Sequence, residues 1–356
     1  MSESELASLR QLLLGLAFVF SAGLGAIAQR THFCVMGAVS DVVLMQDWTR
    51  ARMWALAVAV AVAGFALLGI PASQTLYGGS QLRWASLLLG GLLFGAGMVL
   101  ASGCGAKTLV RLGSGNLKAL VVLLVMGLSA FMTLRGLTAV WRDASVDKLQ
   151  IGLTGPQDLA SLSGLPLVVV VAAALLLLLL FALRGAKDLS FWLGGIGTGL
   201  LVVAMWWLTG QLGFVAEHPE TLEASFLATA QNRPEAFSFV APSAGLLDWL
   251  LFFSDRSKRL DIGVVALLGV IAGAAASALL RGEFRWEGFR QTDDLVLHLM
   301  GAVLMGVGGV TALGCTFGQG LSGLSTLSLG SLLAAAGIVA GAWLALRWQL
   351  WRADRA

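Results

Sequence analysis

Long, uninterrupted runs of apolar residues dominate the pattern of hydrophobic and polar positions along this chain. The runs are continuous rather than alternating, which argues against the strands of a transmembrane β-barrel. A run of about 20 residues, as an α-helix, crosses the hydrocarbon core of a bilayer. We therefore predict an all-α integral membrane protein with about nine transmembrane helices. The predicted spans are 11–29, 53–70, 85–101, 119–134, 165–183, 191–209, 262–280, 295–313 and 329–347.

Three other segments are apolar or glycine-rich but interrupted, at 30–46, 102–118 and 314–328. Backbone leaves the helical form at membrane depth only where protein or a wet cavity satisfies its polar groups. We expect these segments to be short or re-entrant helices that line a path. The stretch 210–261 mixes Glu, Asn and Pro with Phe, and we expect a long loop that partly dips toward the same path.

The chain contains an internal repeat with an offset of 211 residues. Residues 90–104 and 301–315 are identical at eight of 15 positions, including Cys104 and Cys315. Four spans, one linker helix and four more spans predict two halves with opposite orientation in the membrane. We divide the single transmembrane domain, 1–356, into a first half, a linker with helix 165–183, and a second half. Their bounds are 11–134, 135–190 and 191–349. Inverted repeats of this kind are typical of transporters.

Composition supports the membrane assignment and suggests an orientation. Charged residues make up 12% of the chain, against about 25% in soluble domains. No long basic arm is present, so we expect no nucleic-acid partner. We name the face where the first span begins side A and the opposite face side B. Fourteen of the 23 lysines and arginines fall on side B, which places the N-terminus outside and the C-terminus in the cytoplasm.

The first span has one alternative interpretation as a signal peptide cleaved after Ala26-Ile27-Ala28. The segment before it carries a single Arg and two Glu, which is a weak signal-peptide start. We favour a first membrane helix that runs to about residue 28.

The chain has three cysteines, Cys34, Cys104 and Cys315, and each opens one of the interrupted segments. The plainest interpretation is that they are small buried apolar side chains. No Cys-x-x-Cys pair is present, and the three histidines (His32, His218 and His298) lie in unlike settings. We therefore predict no metal site and no cofactor. A soft solute that contains sulfur suits three polarizable thiols better.

Other residues beside the cysteines are candidates for contact with an anion. The cations Arg30, Lys107 and Arg111 could attract one, although positive-inside topology also explains them. Gln319 could donate an amide hydrogen to an oxyanion or could cap a helix. Asp41 should pair with a nearby cation, because a lone charge in the membrane is unfavourable. Glycines beside the cysteines allow close approach of the backbone; they are Gly103, Gly105 and Gly314.

Four motifs together resemble the YeeE/YedE family of sulfur-transport membrane proteins. They are RTHFCVMGAVSD at 30–41, SGCGAKTLVRLGSGN at 102–116, SFVAPS at 238–243 and GCTFGQGLSG at 314–323. The resemblance implies import of thiosulfate, or a related sulfur anion, across the bacterial inner membrane. It also implies an hourglass-shaped helical fold in which Cys34, Cys104 and Cys315 pass the anion along by S–H···S contacts. A TusA-like cytosolic sulfur carrier is an implied separate partner.

Two alternatives stay open at the level of sequence. One is the same fold carrying another sulfur or selenium species. The other is a membrane thiol enzyme that handles sulfane sulfur or electrons. Such an enzyme would usually need a second, resolving cysteine within disulfide reach, and the spacing of the cysteines offers no close pair. We therefore predict a transporter and not an enzyme.

Overall fold

A computed structural model of the chain describes residues 3–185, 188–217, 219, 222–255, 258–289 and 291–354. These residues are mostly helical. The first half holds α1 Glu3–Thr31, α2 Val35–Met45, α3 Thr49–Leu68, α4 Trp84–Leu100, α5 Gly105–Gly113 and α6 Leu117–Arg135. The connecting region holds α7 Leu137–Ala144, α8 Leu159–Ser163 and α9 Leu167–Ala182. The second half holds α10 Leu189–Trp192, α11 Thr198–Trp207, α12 Val240–Leu251, α13 Ile262–Leu280, α14 Thr292–Thr311 and α15 Leu329–Ala353.

Short elements complete the described fold. Two π-helical turns, Leu193–Gly197 and Leu208–Leu212, continue α10 and α11 into one segment, and a third occupies Gly318–Gly323. Four two-residue strands form two antiparallel pairs: β1 Gln81–Leu82 with β2 Ile151–Gly152, and β3 Phe214–Val215 with β4 Ser225–Phe226.

Eight helical segments in the described residues are long and apolar enough to cross a membrane. The ninth predicted span, 165–183, is the 16-residue helix α9, which is about 24 Å long at 1.5 Å per residue. Only Ala182 of α9 is buried; Val171, Leu175 and Leu178 pack partly against the core, and most of the other valines and leucines are exposed. The chain is therefore a multi-pass membrane protein whose linker helix is shorter than predicted and exposed to lipid over most of its surface.

Contacts between connecting segments fix the direction of each helix. On side A, β1 after α3 pairs with β2 after α6, and the Arg10 guanidinium donates to the carbonyl of Leu260 (2.8 Å). On side B, the Leu117 amide donates to the carbonyl of Glu287 (2.8 Å), and Lys118 pairs with Asp294 (2.6 Å). Helices α6 and α14 therefore both start on side B and run in the same direction.

The centre of the fold is the crossing of α4 and α14, which glycines bring into backbone contact. A Cβ on Gly97 would lie 2.7 Å from the carbonyl oxygen of Gly301, and one on Gly308 would lie 2.7 Å from that of Gly90. Only hydrogen fits at these positions. Close backbone packing matters here because lipid provides no hydrophobic drive for two helices to associate.

The contacts of this crossing are reciprocal. Gly90 and Gly301 are equivalent in the repeat, as are Gly97 and Gly308, so each half presents the same surface to the other. Farther out, Gly95 packs against backbone of α15, and its repeat mate Gly306 packs against backbone of α6. Helix α1 packs on α13, just as α11 packs on α3. These contacts support the proposal of two halves related by an inverted pseudo-two-fold axis.

The interrupted segments form short elements between the long helices. Residues 30–46 contain α2, residues 102–118 contain α5, and residues 314–328 contain the third π-helical turn. The expected loop 210–261 is partly regular, since it contains β3, β4 and the apolar helix α12, which packs on α6. His218 of this loop lies outside the described residues.

The loop on side A also holds a buried carboxyl group, Glu235. Its amide donates to the Thr209 hydroxyl (3.2 Å), which in turn donates to the carbonyl of Glu235 (2.7 Å). The carboxyl oxygen Oε1 is buried without a hydrogen-bond partner among the described residues. Burial raises the pKa of Glu235 to about 8, the charge of Asp261 adds to the effect, and the Ala230 amide opposes it.

We expect Gly308→Ala to destabilise the protein, because its Cβ would lie 2.5 Å from the backbone nitrogen of Phe94. Overpacking of this kind costs about 1–3 kcal/mol. A fall in the melting temperature of the purified protein in detergent would show it. Gly15→Ala is the control, since nothing lies within 4 Å of a Cβ at this helical position. Equal melting temperatures for the two variants would contradict the tight crossing.

We also expect stability to fall as the pH rises toward 8. The folded protein keeps the Glu235 proton up to about pH 8, whereas the unfolded chain releases it near its ordinary pKa of 4.5. The folded state therefore binds more protons in this window, and the free energy of unfolding decreases with pH. The melting temperature, measured from pH 5 to 9, should depend less on pH in Glu235→Gln than in the wild type. The exposed control Glu223→Gln should keep the pH dependence of the wild type, and the same slope in both variants would refute the assignment.

Candidate functional site

Each cysteine follows a left-handed residue that ends the preceding helix. The φ angles are 52° for His32, 56° for Ser102 and 57° for Leu313, and each of these residues stands two positions before a cysteine. Residues other than glycine seldom adopt this conformation. The left-handed residue stops the long helix and turns the chain inward, so all three cysteines enter the interior through the same local geometry.

The turns before Cys104 and Cys315 match in their hydrogen bonds as well. The amide of Gly103 donates to the carbonyl of Met98, and that of Gly314 donates to the carbonyl of Gly309, both at 2.8 Å. These pairs are equivalent in the repeat. The left-handed residues Ser102 and Leu313 and these two amide hydrogen bonds therefore define the same turn in both halves.

All three thiols are buried and free. The Cys34 sulfur accepts a hydrogen bond from the Gly37 amide, and the Cys315 sulfur accepts one from the Gly318 amide, both at 3.4 Å. Cys104 caps the start of α5. The sulfurs therefore lie where helical backbone begins and its N–H groups add positive potential.

The structure brings Cys34 and Cys104 close enough to influence each other electrostatically, although no hydrogen bond of normal geometry joins the two thiols. The inference from spacing that no close pair exists is therefore wrong, because two turns 70 residues apart converge on one point. From the other half, the side chain of Thr316 faces the Cys104 thiol. Thr316 follows Cys315 directly, so its segment connects the third cysteine to the pair.

A cluster of buried phenylalanines fills the space between these segments, and sequence reasoning missed it. The Phe317 ring lies 5.9 Å from Phe33 and 5.4 Å from Phe239, centroid to centroid, and Phe237 stacks on Phe239 at 6.1 Å. The sequence did carry one signal for this cluster, since Phe33 and Phe317 each stand within two positions of a motif cysteine. The cluster packs Phe33 of the first half against the three phenylalanines of the second half.

Cations gather at the side B end of the cysteine pair. Lys107 is half-buried and acts electrostatically on both Cys34 and Cys104. A Cβ on Gly103 would lie 3.1 Å from the side chain of Lys107, so this glycine gives the lysine room. The Arg111 guanidinium donates to the carbonyl of Ser102 (3.0 Å) and thereby ties α5 to the turn before Cys104.

A further cation near Cys34, Arg50, is one that sequence reasoning did not select. A Cβ on Gly37 would lie 2.7 Å from Nη1 of Arg50 and 3.5 Å from Cβ of Cys34. Arg50 also pairs with Asp41 (3.3 Å), which confirms the expectation that Asp41 has a cationic partner. Arg30 is exposed at the end of α1, and no described contact joins it to the cysteines.

The side chain of Gln319 stabilises the end of a helix. Its amide donates to the carbonyl of Ala312 at the end of α14 (2.6 Å), as the helix-capping alternative expected. Its oxygen is buried without a partner among the described residues. Gly314 closely contacts Gln319 (3.1 Å from a Cβ), whereas a Cβ on Gly105 would make only ordinary contact with Phe239 (3.7 Å).

The geometry predicts which cysteines can be joined by oxidation. Mild copper–phenanthroline treatment of the purified protein should link Cys34 to Cys104 and leave Cys315 free, because only the first two thiols face each other. Peptide mapping by mass spectrometry reads out the bond, and Cys34→Ser should abolish it. A Cys104–Cys315 bond, or three thiols that stay free, would show that the arrangement is different.

Comparison with known proteins yields one family and two full-length relatives. The family described as sulphur transport matches residues 30–344. The thiosulfate transporter TsuA of Spirochaeta thermophila is 28% identical over 339 residues, which are 92% of this chain and 96% of that protein. The thiosulfate transporter TsuA of Escherichia coli is 28% identical over 333 residues, 90% of each chain.

A third relative matches only part of the chain. The probable transporter YedE of Escherichia coli is 30% identical over 116 residues, which cover 31% of this chain and 27% of that protein. Together with the eight apolar spans and the three cysteine turns, the match over residues 30–344 assigns the fold and the class of protein. The chain belongs to the sulphur transport (YeeE/YedE) family of membrane transporters.

Proposed function

We propose that this transporter imports thiosulfate, or a closely related sulfur anion, through a central constriction lined by its three cysteines. One observation carries the proposal: the buried Cys34 and Cys104 thiols of the first half lie close together, and Thr316, the neighbour of Cys315 in the second half, lies close to Cys104. The two full-length relatives, both named thiosulfate transporters, support the choice of substrate.

The chemistry of a thiol suits passage of such an anion. Thiosulfate carries two negative charges and ends in one soft sulfur atom. A protonated thiol donates a weak S–H hydrogen bond to that sulfur, whereas a thiolate would repel it. A series of weak sites lets an ion enter and leave, and conduction requires both. We propose that Cys315, Cys104 and Cys34 contact the anion in turn by S–H···S hydrogen bonds.

The cations give the route a direction. Lys107 and Arg50 lie at the side B end of the cysteine pair, where they attract an anion that has passed the constriction. The excess of lysine and arginine on side B supports a cytoplasmic location for that side. We therefore propose an inner-membrane protein with a periplasmic N-terminus and a cytoplasmic C-terminus. A separate TusA-like carrier would receive sulfur there.

The reciprocal glycine contacts support the proposed division into two halves, 11–134 and 191–349, joined by 135–190. In this arrangement Cys104 arrives from side B and Cys315 from side A. The anion would therefore meet the segment of the second half first and that of the first half next. The Phe33, Phe239 and Phe317 rings lie between them and would have to move aside.

Uptake of labelled thiosulfate into proteoliposomes tests the proposal. We expect uptake by the wild type, a decrease of about tenfold or more for each single Cys→Ala variant, and none for the triple variant. The reason is that a hydrogen bond to a charged group contributes about 1.5–3 kcal/mol. Uptake that survives the triple change would refute the cysteine relay. No uptake by the wild type, with sulfite or selenium oxyanions transported instead, would refute the substrate.

A matched pair of charge variants tests the direction of the route. Lys107→Gln should slow uptake, because it removes the cation that acts on both Cys34 and Cys104. Arg347→Gln should not, because Arg347 also lies on side B but stacks on the Trp343 ring (5.4 Å) of the same helix. Equal effects of the two changes would mean that only the net charge of side B matters.

A persulfide trapped on Cys34 or Cys104 during uptake would replace the S–H relay with a covalent one.

A further inference from the structure

Ser238 lies in the second half close to the place that Cys34 occupies in the first, one residue before the N-cap of the short helix. Phe33-Cys34 directly precedes the short helix α2, and Phe237-Ser238 stands just before the short helix α12. Each short helix is followed by a long one, α3 or α13. The pseudo-symmetry therefore pairs Cys315 with a hydroxyl, as it pairs Cys104 with a thiol.

The space beside Gly318 shows where this hydroxyl lies. A Cβ on Gly318 would be 3.0 Å from Oγ of Ser238 and 3.6 Å from the phenol oxygen of Tyr77. The Gly318 amide itself donates to the Cys315 sulfur (3.4 Å). One thiol and two hydroxyls thus surround a residue with no side chain. In the first half, the equivalent position holds Lys107.

The phenol of Tyr77 is a donor for which no acceptor is found among the described residues. The residue is 8% exposed, and its ring packs edge-on against Trp206 (6.4 Å). Within the described part of the chain, its phenol makes no hydrogen bond, although its backbone carbonyl accepts one from Ser328. Burial raises the pKa of Tyr77 above its ordinary value of 10, so the phenol keeps its proton.

Thr316 provides a comparable hydroxyl beside the next thiol. It is 1% exposed, and its Oγ1 is buried without a hydrogen bond of normal geometry to any described group, although it faces Cys104. Buried hydroxyls nearly always have a partner, so an unsatisfied one calls for a ligand or water. Hydroxyls therefore accompany the thiols at two successive points.

We propose that Tyr77, Ser238 and Thr316 form a hydroxyl track that binds the oxygens of a sulfur oxyanion while Cys315 and Cys104 contact its sulfur. This inference rests on the proposed function and deepens it. The three hydroxyls are neutral donors, and hydrogen bonds from such donors to an anion are strengthened by its charge. An anion with oxygens alone would leave the thiols without a soft partner. A sulfur species without oxygens would leave the hydroxyls unpaired.

Hydroxyl-deletion variants in proteoliposomes test this track with labelled thiosulfate. Tyr77→Phe, Ser238→Ala and Thr316→Val should each raise the KM about tenfold, because each removes one hydrogen bond to a charged ligand. The maximal rate should change less, since the thiols and the constriction stay in place. Thr316→Ser restores the hydroxyl and should restore a KM near that of the wild type, which separates ligand binding from packing.

Two controls delete hydroxyls that only serve the fold. Ser243 donates to the carbonyl of Val240 within α12 (2.6 Å), and Thr311 donates to that of Val307 within α14 (2.7 Å). Ser243→Ala and Thr311→Val should leave the KM unchanged. An unchanged KM in all three track variants, with normal uptake by the wild type, would overturn the track alone. Absence of thiosulfate uptake by the wild type would overturn the proposed function and this inference with it.

Discussion

Backbone contact between α4 and α14 is the interaction on which the rest of this structure depends. Helices in lipid gain little from burying apolar side chains, because the surrounding chains of the lipid are equally apolar. Four glycines, Gly90, Gly97, Gly301 and Gly308, let the two backbones touch and exchange dispersion contacts along their length. Because both helices end beside this crossing, the turns that follow them are held at a fixed separation.

The turns that follow α4 and α14 position two of the cysteines. Ser102 and Leu313, with left-handed backbone, stop α4 and α14 at equivalent places, and the matching hydrogen bonds of Gly103 and Gly314 close both helix ends. The chain then enters the interior with a cysteine at its leading position. The unfavourable backbone conformation of a leucine at this point persists because the crossing and the cap determine it.

Much of this arrangement was accessible from the sequence. The apolar runs predicted the helices, and the repeat predicted that Cys104 and Cys315 are equivalent. The sequence could not show that Cys104 lies close to Cys34, because their proximity depends on where α1 and α4 end in space. Ser238 lies in a motif that the sequence singled out, but the position of its hydroxyl and that of Tyr77 beside Gly318 could not be predicted for the same reason. The sequence left Gln319 open between an oxyanion ligand and a helix cap, and the structure shows its amide at the end of α14. The length of α9 was overestimated because apolar flanks such as Leu165 extend its run without being helical.

Lys107 of the first half stands at the position that Gly318 holds in the second half. This difference has an energetic consequence for the proposed import. In the proposed orientation, with side B in the cytoplasm, a thiosulfate dianion that moves inward opposes a membrane potential that is negative inside. That opposition amounts to about 4.6 kcal/mol at 100 mV for two charges. A fixed ammonium on the inner side lowers the energy of the anion along the route, but it leaves the difference between the two compartments unchanged. Net accumulation must therefore be driven by coupled ion movement or by rapid consumption of the imported sulfur.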